Sequence, residues 1–204
     1  MYRIERIEND TFYHIFNRDN NKQRIFFDDE DYSDFIAKLK DYADRCQVEV
    51  PIYTLMPNHF HLMVRQRREG SVASMMAGLC LSTALRFNRK YQHVNHLFGG
   101  RYCRKPVDDQ ALWWLACYIH LNPVRAGMKK DPAEWKYSNY LDYAEKGLTY
   151  SCQTADLKVD FDKAYVAYVE GIKNDERAGA DLTNQLRPAG LLYDEPAEED
   201  STKD

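Results

Sequence analysis

Two histidines separated by one residue form the sharpest chemical pattern in this sequence. His59 and His61 lie in the segment His59-Phe-His-Leu-Met-Val64, which is typical of a β-strand. Because alternate residues of a strand point to the same side, both imidazoles project together and can converge on one cation. Paired histidines also occur on strand faces that bind no metal. The spacing therefore leaves a metal site and an ordinary polar face both open.

A second pattern, Tyr118-Ile-His-Leu-Asn122, lies near the end of a predicted helix. Tyr118 and Asn122 are four residues apart and so share a helix face. A phenol can attack phosphorus and hold a covalent intermediate, and an amide oxygen is a hard ligand that favours Mg²⁺ or Mn²⁺ over zinc. A packing tyrosine and a helix-ending asparagine are the ordinary alternatives. His120 is predicted to be a packing residue or, alternatively, the base that deprotonates the phenol.

The charges are distributed unevenly along the 204 residues, although the net charge is only −4. Residues 59–130 contain 12 basic and 3 acidic side chains, whereas residues 1–58, 131–174 and 175–204 are each net acidic. A basic block of this density is the electrostatic footprint of a protein that binds phosphates. A solvated helix face has a similar composition, so charge alone favours a polyanion partner without identifying one.

The composition also excludes several classes of protein. The five cysteines are scattered, odd in number and never spaced as Cys-x-x-Cys, which argues against a disulfide framework and a thiolate zinc site. No segment reaches the roughly 18 consecutive apolar residues that a membrane span requires. Charged residues occupy the amino-terminal region where a secretion signal would need an apolar core. We therefore expect a cytoplasmic protein with no membrane partner.

The elements that must position these residues follow from the hydrophobic pattern. Four strands and three helices are predicted in the order strand, helix, strand, strand, helix, strand, helix: strands at 11–18, 48–56, 59–64 and 101–107, and helices that begin at 28, 71 and 110. This order predicts an α+β fold with a ferredoxin-like antiparallel sheet and helices mainly on one face. Pro51 indicates an edge strand or a bulge, and Pro123 is expected to end the last helix.

Taken together, these motifs resemble one family. Asn58-His-Phe-His-Leu62 and Tyr118-Ile-His-Leu-Asn-Pro-Val-Arg-Ala-Gly127 are similar to the HUH single-tyrosine transposases, and most of all to the REP-associated tyrosine transposases. Three shorter segments extend the similarity, which covers residues 5–145 in order: Tyr13-His-Ile-Phe-Asn-Arg18, Phe26-Phe-Asp-Asp-Glu-Asp-Tyr32 and Gly99-Gly-Arg-Tyr102.

The resemblance implies an HUH endonuclease fold, a divalent metal (Mg²⁺ or Mn²⁺) and DNA cleavage through a covalent 5′-phosphotyrosine. Transferred onto the matching residues, it implies that His59, His61 and Asn122 are the metal ligands and that Tyr118 is the nucleophile. It also implies single-stranded DNA with hairpins, of the repetitive extragenic palindrome type, as the partner of a monomer or a homodimer.

Basic side chains in and beside the basic block fit a DNA groove, where they would bind backbone phosphates and set the register of the strand. The predicted DNA-binding residues are Arg18, Arg65, Arg67, Arg68, Arg86, Arg89, Lys90, Arg101, Arg104, Lys105 and Arg125.

We therefore predict a metal-dependent single-stranded DNA endonuclease and strand transferase that acts at hairpin-forming repeats. The alternative is a domesticated DNA-binding protein or repressor that recognises the same repeats without turnover. An RNA-binding module is disfavoured, because the aromatic sheet motif of RNA-recognition domains is absent. The predicted organisation is a catalytic domain at 1–145, a helical extension at 146–174 and an acidic, disordered tail at 175–204. Segments 135–143 and 161–169 are expected to be helical.

Overall fold

The computed structural model describes residues 7–18, 23–94, 96–146, 150–153, 158–161, 163–187 and 191. Within these ranges the strands are β1 (Phe12–Arg18), β2 (Val48–Met56), β3 (His59–Gln66), β4 (Cys103–Val107), β5 (Tyr150–Gln153) and β6 (Lys158–Phe161). The α-helices there are α1 (Asp29–Arg45), α2 (Val72–Tyr91), α3 (Leu112–Arg125), α4 (Tyr140–Ala144), α5 (Lys163–Lys173) and α6 (Glu176–Leu186).

The first four strands form one antiparallel sheet in the order β2-β3-β1-β4. This is the order of a ferredoxin-like βαββαβ unit, and it confirms the predicted fold class. β1 lies between β3 and β4, so its residues are cross-strand neighbours of both. β2 is an edge strand, and its register with β3 shifts between Glu49 and Ile52, around Pro51. Both expectations for Pro51 are therefore confirmed.

Helices pack on both faces of this sheet. On one face, Ile15 and Leu62 belong to the core that includes apolar residues of α1 and α2. On the other face, Phe12 and Met63 pack with α3, against which α5 and α6 also pack. The expectation of helices mainly on one face thus holds for α1 and α2 but not for α3. The central strands are apolar on both sides, so each side must be covered.

α3 does not end at Asn122-Pro123 as expected but continues through Pro123 to Arg125. Two residues after this end, the chain turns away at Gly127, whose φ of +66° is readily accessible only to glycine. The backbone amide of Gly127 donates to the carbonyl of Val124 at 2.9 Å, which closes the last turn. Pro123 has no amide to donate to the carbonyl of Ile119, and the helix continues for only two residues beyond it.

Segment 135–143, expected to be helical, first lies along the free edge of β2. The backbone amide of Leu55 donates to the carbonyl of Tyr137 at 2.9 Å, and that of Asn139 donates to Tyr53 at 3.3 Å. An edge strand leaves backbone groups that need partners, and this segment supplies them. Only residues 140–144 form a helix, α4.

The region after residue 146 also differs from the prediction of a helical extension and a disordered tail. β5 and β6 pair as a small antiparallel sheet before α5 begins. α6 lies within the predicted tail, with Leu182 and Leu186 fully buried in the α3 core. These leucines are four residues apart, so they share the face that the core requires. The disorder prediction for 192–204 falls outside the described residues.

Candidate active site

The sheet and α3 bring the two predicted histidines and the predicted nucleophile together. His59 and His61 project from β3 toward α3, with ring centres 4.9 Å apart and ring planes nearly perpendicular. The ring centre of Tyr118 lies 5.6 Å from that of His61. Both histidines and the tyrosine are buried, with Tyr118 only 5% exposed.

A third histidine, His14 of β1, belongs to the same cluster. It lies beside His61 in the sheet, and its Nε2 is 3.0 Å from His61 Nδ1. Its Nδ1 is 2.9 Å from the carbonyl oxygen of Leu191. His59 has a corresponding partner, because its Nδ1 lies 2.6 Å from Oδ1 of Asn58. Both histidines of the His-x-His pattern are thus held through Nδ1.

Burial determines the protonation of these imidazoles. It lowers the pKa of His14 to about 3 and that of His59 to about 4, and it holds the pKa of His61 well below its usual value. All three rings are therefore neutral near pH 7, and each has one unprotonated nitrogen. Neutral imidazole is the form of histidine that binds a metal ion.

Asn122 lies one turn beyond Tyr118 on α3. Its Nδ2 donates to the backbone carbonyl of Tyr118 at 3.1 Å, which orients the side-chain amide along the helix. Its amide group is half-buried beside the tyrosine. The two residues share a helix face, as their spacing predicts, and the metal-ligand role of Asn122 stays a prediction.

Two neutral imidazoles, with the predicted amide ligand Asn122, are compatible with a bound divalent cation. In the described part of the chain, no three His, Cys, Asp or Glu side chains form a group that could hold a metal. Two neutral imidazoles that share a face would leave coordination positions for oxygen ligands such as phosphate, water and the predicted amide oxygen of Asn122. Mg²⁺ and Mn²⁺ favour such oxygen ligands.

Three of the predicted basic residues lie close to this cluster. Arg18 of β1 lies opposite His59 of β3 in the sheet, and Lys105 of β4 lies opposite His14 of β1. The guanidinium carbon of Arg125 lies 5.6 Å from the ring centre of Tyr118. Arg125 also donates to the hydroxyl of Thr183 on α6 at 2.9 Å. Arg18 and Lys105 therefore project on the same sheet face as the histidines, and Arg125 contacts the tyrosine ring.

Other predicted DNA-binding residues form ion pairs within the protein. Arg65 is 1% exposed and pairs with Glu49, which also pairs with Arg67. Arg86 and Lys90 of α2 pair with acidic residues at the start of α1. DNA binding by these side chains would have to compete with their present partners.

The remaining predicted basic residues are more distant in the fold or more exposed. Arg104 lies opposite Ile15, on the sheet face away from the histidines. The guanidinium of Arg101 lies over the ring of Tyr102. Arg68 and Arg89 are exposed, on the β3–α2 connection and on α2. The structure does not gather all eleven predicted cations into one groove, and their roles in DNA binding stay predictions.

His120 occupies a buried network away from the phenol. Its Nε2 lies 3.0 Å from Oδ1 of Asn139, and the hydroxyl of Tyr165 lies 2.7 Å from its Nδ1. With both ring nitrogens bonded in the core, the geometry favours the packing interpretation of His120 over that of a base for Tyr118.

Sequence reasoning assigned no role to His14, to Leu191 or to Thr183. His14 alternates with Phe12 and Phe16, so its side of the strand could be predicted from the pattern. Its contact with His61 depends on β1 lying next to β3, which the predicted ferredoxin-like sheet implies, and on the register between the two strands, which no local pattern indicates. The contacts of Leu191 and Thr183 depend on the packing of the C-terminal segment.

One family model and two solved structures are similar to this chain. The model of a family described as IS200-like transposases matches residues 8–122, more than half of the chain. The fold is similar to that of a REP-associated tyrosine transposase bound to a REP hairpin, with a TM-score of 0.59 and 17% identity over 72% of this chain and 87% of that chain. A crystal structure from Deinococcus radiodurans R1, provisionally described as a transposase, matches with a TM-score of 0.42 and 16% identity over 62% of this chain and 97% of that one.

No curated protein sequence matches this chain. Among the described residues, no helix is long and apolar enough to cross a membrane. The family match extends from the residues before β1 to Asn122, and so it includes the strand with both histidines and the helix with the tyrosine. The chain therefore belongs to the IS200-like transposase family.

Proposed function

We propose that this transposase is a metal-dependent endonuclease and strand transferase for single-stranded DNA with hairpin-forming repeats. The observation that supports this most directly is the cluster of His59, His61 and Tyr118, with ring centres 4.9 and 5.6 Å apart in one chain. The structural relative bound to a REP hairpin supports a hairpin of the same type as the partner. Since one chain supplies the whole cluster, a monomer contains the residues needed for cleavage.

His59 and His61 would hold Mg²⁺ or Mn²⁺ through their imidazole nitrogens, with Asn122 as a third ligand. When bound, the metal supplies positive charge that stabilises the negative charge developing on the scissile phosphate. Tyr118 attacks the phosphorus in line, so that its oxygen forms the phosphotyrosine bond and the DNA 3′-oxygen leaves as a hydroxyl. The guanidinium carbon of Arg125 lies 5.6 Å from the centre of the phenol ring, so its positive charge would attract the phosphate that the phenol attacks.

The phosphotyrosine bond conserves the energy of the phosphodiester that it replaces. A second DNA 3′-hydroxyl can therefore attack the same phosphorus and release Tyr118, which joins two strands without a nucleotide cofactor. Arg18 and Lys105 lie beside the histidines and would neutralise phosphates on either side of the cut. This chemistry accounts for both cleavage and strand transfer.

The test is covalent capture of a labelled DNA hairpin that has single-stranded flanks. The parent protein is incubated with the DNA and Mn²⁺ or Mg²⁺, and adducts are separated under denaturing conditions. We expect an adduct with the parent and none with Tyr118→Phe, which lacks only the attacking oxygen. Tyr102→Phe is the matched control, because the Tyr102 hydroxyl has no hydrogen-bond partner among the described residues.

An adduct that persists with Tyr118→Phe would show that another tyrosine is the nucleophile. Hairpin binding by the parent without any cleavage or adduct, under all metal conditions, would favour the alternative of a repressor-like DNA-binding protein. Full cleavage by the parent in EDTA would remove the metal from the mechanism.

A further inference from the structure

His14 connects the C-terminal segment to one of the two histidines of the His-x-His pattern. It is fully buried in the centre of the sheet, and its two ring nitrogens contact different groups. Nδ1 lies 2.9 Å from the carbonyl oxygen of Leu191, and Nε2 lies 3.0 Å from Nδ1 of His61. The ring planes are inclined by only 23° and the ring centres lie 5.2 Å apart, so the two rings meet edge to edge.

The carbonyl of Leu191, at one end of this series of hydrogen bonds, determines where each proton lies. A backbone carbonyl can only accept a hydrogen bond, so Nδ1 of His14 must be the protonated nitrogen. In a neutral ring, Nε2 of His14 is then an acceptor. The hydrogen bond between the rings consequently requires the proton on Nδ1 of His61. That leaves Nε2 of His61 as the unprotonated nitrogen of that ring.

We propose that His14 is a positioning residue that, fixed by the Leu191 carbonyl, holds His61 in the tautomer whose Nε2 can bind the metal. Free neutral imidazole carries its proton on either nitrogen, whereas a partner on one nitrogen selects the tautomer and the ring orientation. His14 contributes no ligand atom itself. Asn58 has the same geometric relation to Nδ1 of His59, so both rings would present Nε2.

This inference rests on the proposed metal-dependent function, but its first test needs no metal. In ¹⁵N-labelled, metal-free protein, long-range ¹H–¹⁵N correlation spectra distinguish histidines protonated on Nδ1 from those protonated on Nε2. We expect both His14 and His61 to be protonated on Nδ1, and substitution of each histidine assigns its signals. A signal from His61 protonated on Nε2 would overturn the inference.

The second test measures Mn²⁺ affinity by calorimetry, independently of DNA cleavage. His14→Phe preserves a buried planar ring but accepts no hydrogen bond, and we expect Mn²⁺ binding to weaken about 10- to 100-fold. His14→Gln should recover part of this loss, since an amide oxygen can accept the His61 proton. Phe16→Leu is the packing control, because the Phe16 ring lies 4.9 Å from that of His14 but forms neither hydrogen bond.

The outcomes separate this inference from the proposed function. Parent protein that binds no Mn²⁺ would overturn the proposed metal site and, with it, the role of His14. Parent protein that binds Mn²⁺, together with a folded His14→Phe variant of equal affinity, would overturn the role of His14 alone. If His14→Phe does not fold, the tautomer spectra of the parent and the affinity of His14→Gln still decide the question.

Discussion

At the scale of single residues, the structure has buried, neutral imidazoles at the positions of the proposed metal ligands. Burial keeps the pKa of His59 at about 4 and that of His61 well below its usual value, so no proton has to be released before metal binding at neutral pH. Hydrogen bonds at Nδ1 offset part of the cost of burying these rings. The site thus combines low proton affinity with fixed orientation, two properties that a histidine ligand requires.

We expect His59→Ala and His61→Ala each to abolish Mn²⁺ binding and metal-dependent cleavage. Asn122→Ala should have a smaller effect or shift the metal requirement, because water can replace an amide oxygen more easily than an imidazole. Calorimetry with Mn²⁺ and adduct formation with a labelled hairpin measure the two properties. His96→Ala is the control, since this histidine is exposed. Unchanged Mn²⁺ affinity in both β3 histidine variants would contradict the proposed ligands.

At the scale of elements, an ion-pair network joins the start of α1 to the end of α2. Asp31 is buried and accepts hydrogen bonds from Arg86 and Lys90 at 2.9 Å and from the hydroxyl of Tyr91 at 2.6 Å. Burial alone would raise the pKa of Asp31, but these bonds and one from the Phe27 amide outweigh it and hold the pKa below its usual value. The carboxylate therefore fastens the two helices of the βαββαβ unit together.

Asp31→Asn should lower the free energy of unfolding by about 1–3 kcal/mol at pH 7, because it removes the buried charge that Arg86 and Lys90 share, although both cations keep their ion pairs with Glu30. The folded-state pKa of Asp31 lies below the unfolded value. Its contribution is therefore present above that unfolded value, near 4, and is lost as the pH falls through the folded pKa. Urea unfolding at pH 7 and pH 3 should show the gap between parent and variant narrowing in acid. A gap that is constant with pH would contradict this role.

A second hydrogen-bond network joins α3 to α5 through His120, which lies two residues after Tyr118 on α3. Tyr165→Phe removes the hydroxyl that lies 2.7 Å from His120 Nδ1 and leaves that buried nitrogen without its partner. We expect a loss of about 1–3 kcal/mol in the free energy of unfolding, measured with urea. Tyr168→Phe, on the same helix but half-buried, should change it by less than about 0.5 kcal/mol. Equal effects of the two substitutions would contradict a specific role for the network.

At the scale of the whole molecule, the basic block and the acidic C-terminal residues have opposite charges. Residues 192–204 include six acidic side chains and one basic side chain, whereas residues 59–130 include 12 basic and 3 acidic ones. α6 and Leu191 contribute to the core, so their removal would expose apolar surface. A charged segment near a cationic surface competes with DNA through ionic attraction, which salt screens.

Deletion of 192–204 should therefore raise affinity for random single-stranded DNA at low salt, and the gain should shrink as salt increases. Fluorescence anisotropy across a salt series measures both effects. A full-length variant with the acidic residues changed to Asn or Gln should behave like the deletion, which separates charge from chain length. Equal affinities of full-length and truncated protein at every salt concentration would leave the acidic residues as a solubility feature.

The sequence by itself determined what depends on neighbours along the chain. The two-residue repeat of a strand places His59 and His61 on one face, and the helical repeat does the same for Tyr118 and Asn122. The order of strands and helices, with Pro51 at an edge, was likewise predictable because local periodicity and turn residues specify it. The same residues supported the resemblance to the transposase family.

Only the tertiary structure decided which distant residues meet. His14 contacts His61 because β1 lies between β3 and β4, and Leu191 reaches His14 across 177 positions of sequence. Likewise, Arg86 and Lys90 pair with α1 instead of lying free for DNA, and α6 is a core helix within an acidic, polar stretch. Such contacts depend on strand pairing and packing among elements far apart in the chain. Local residue patterns predicted the order of the elements, but the register between strands and the packing of the C-terminal segment emerge only when the whole chain folds.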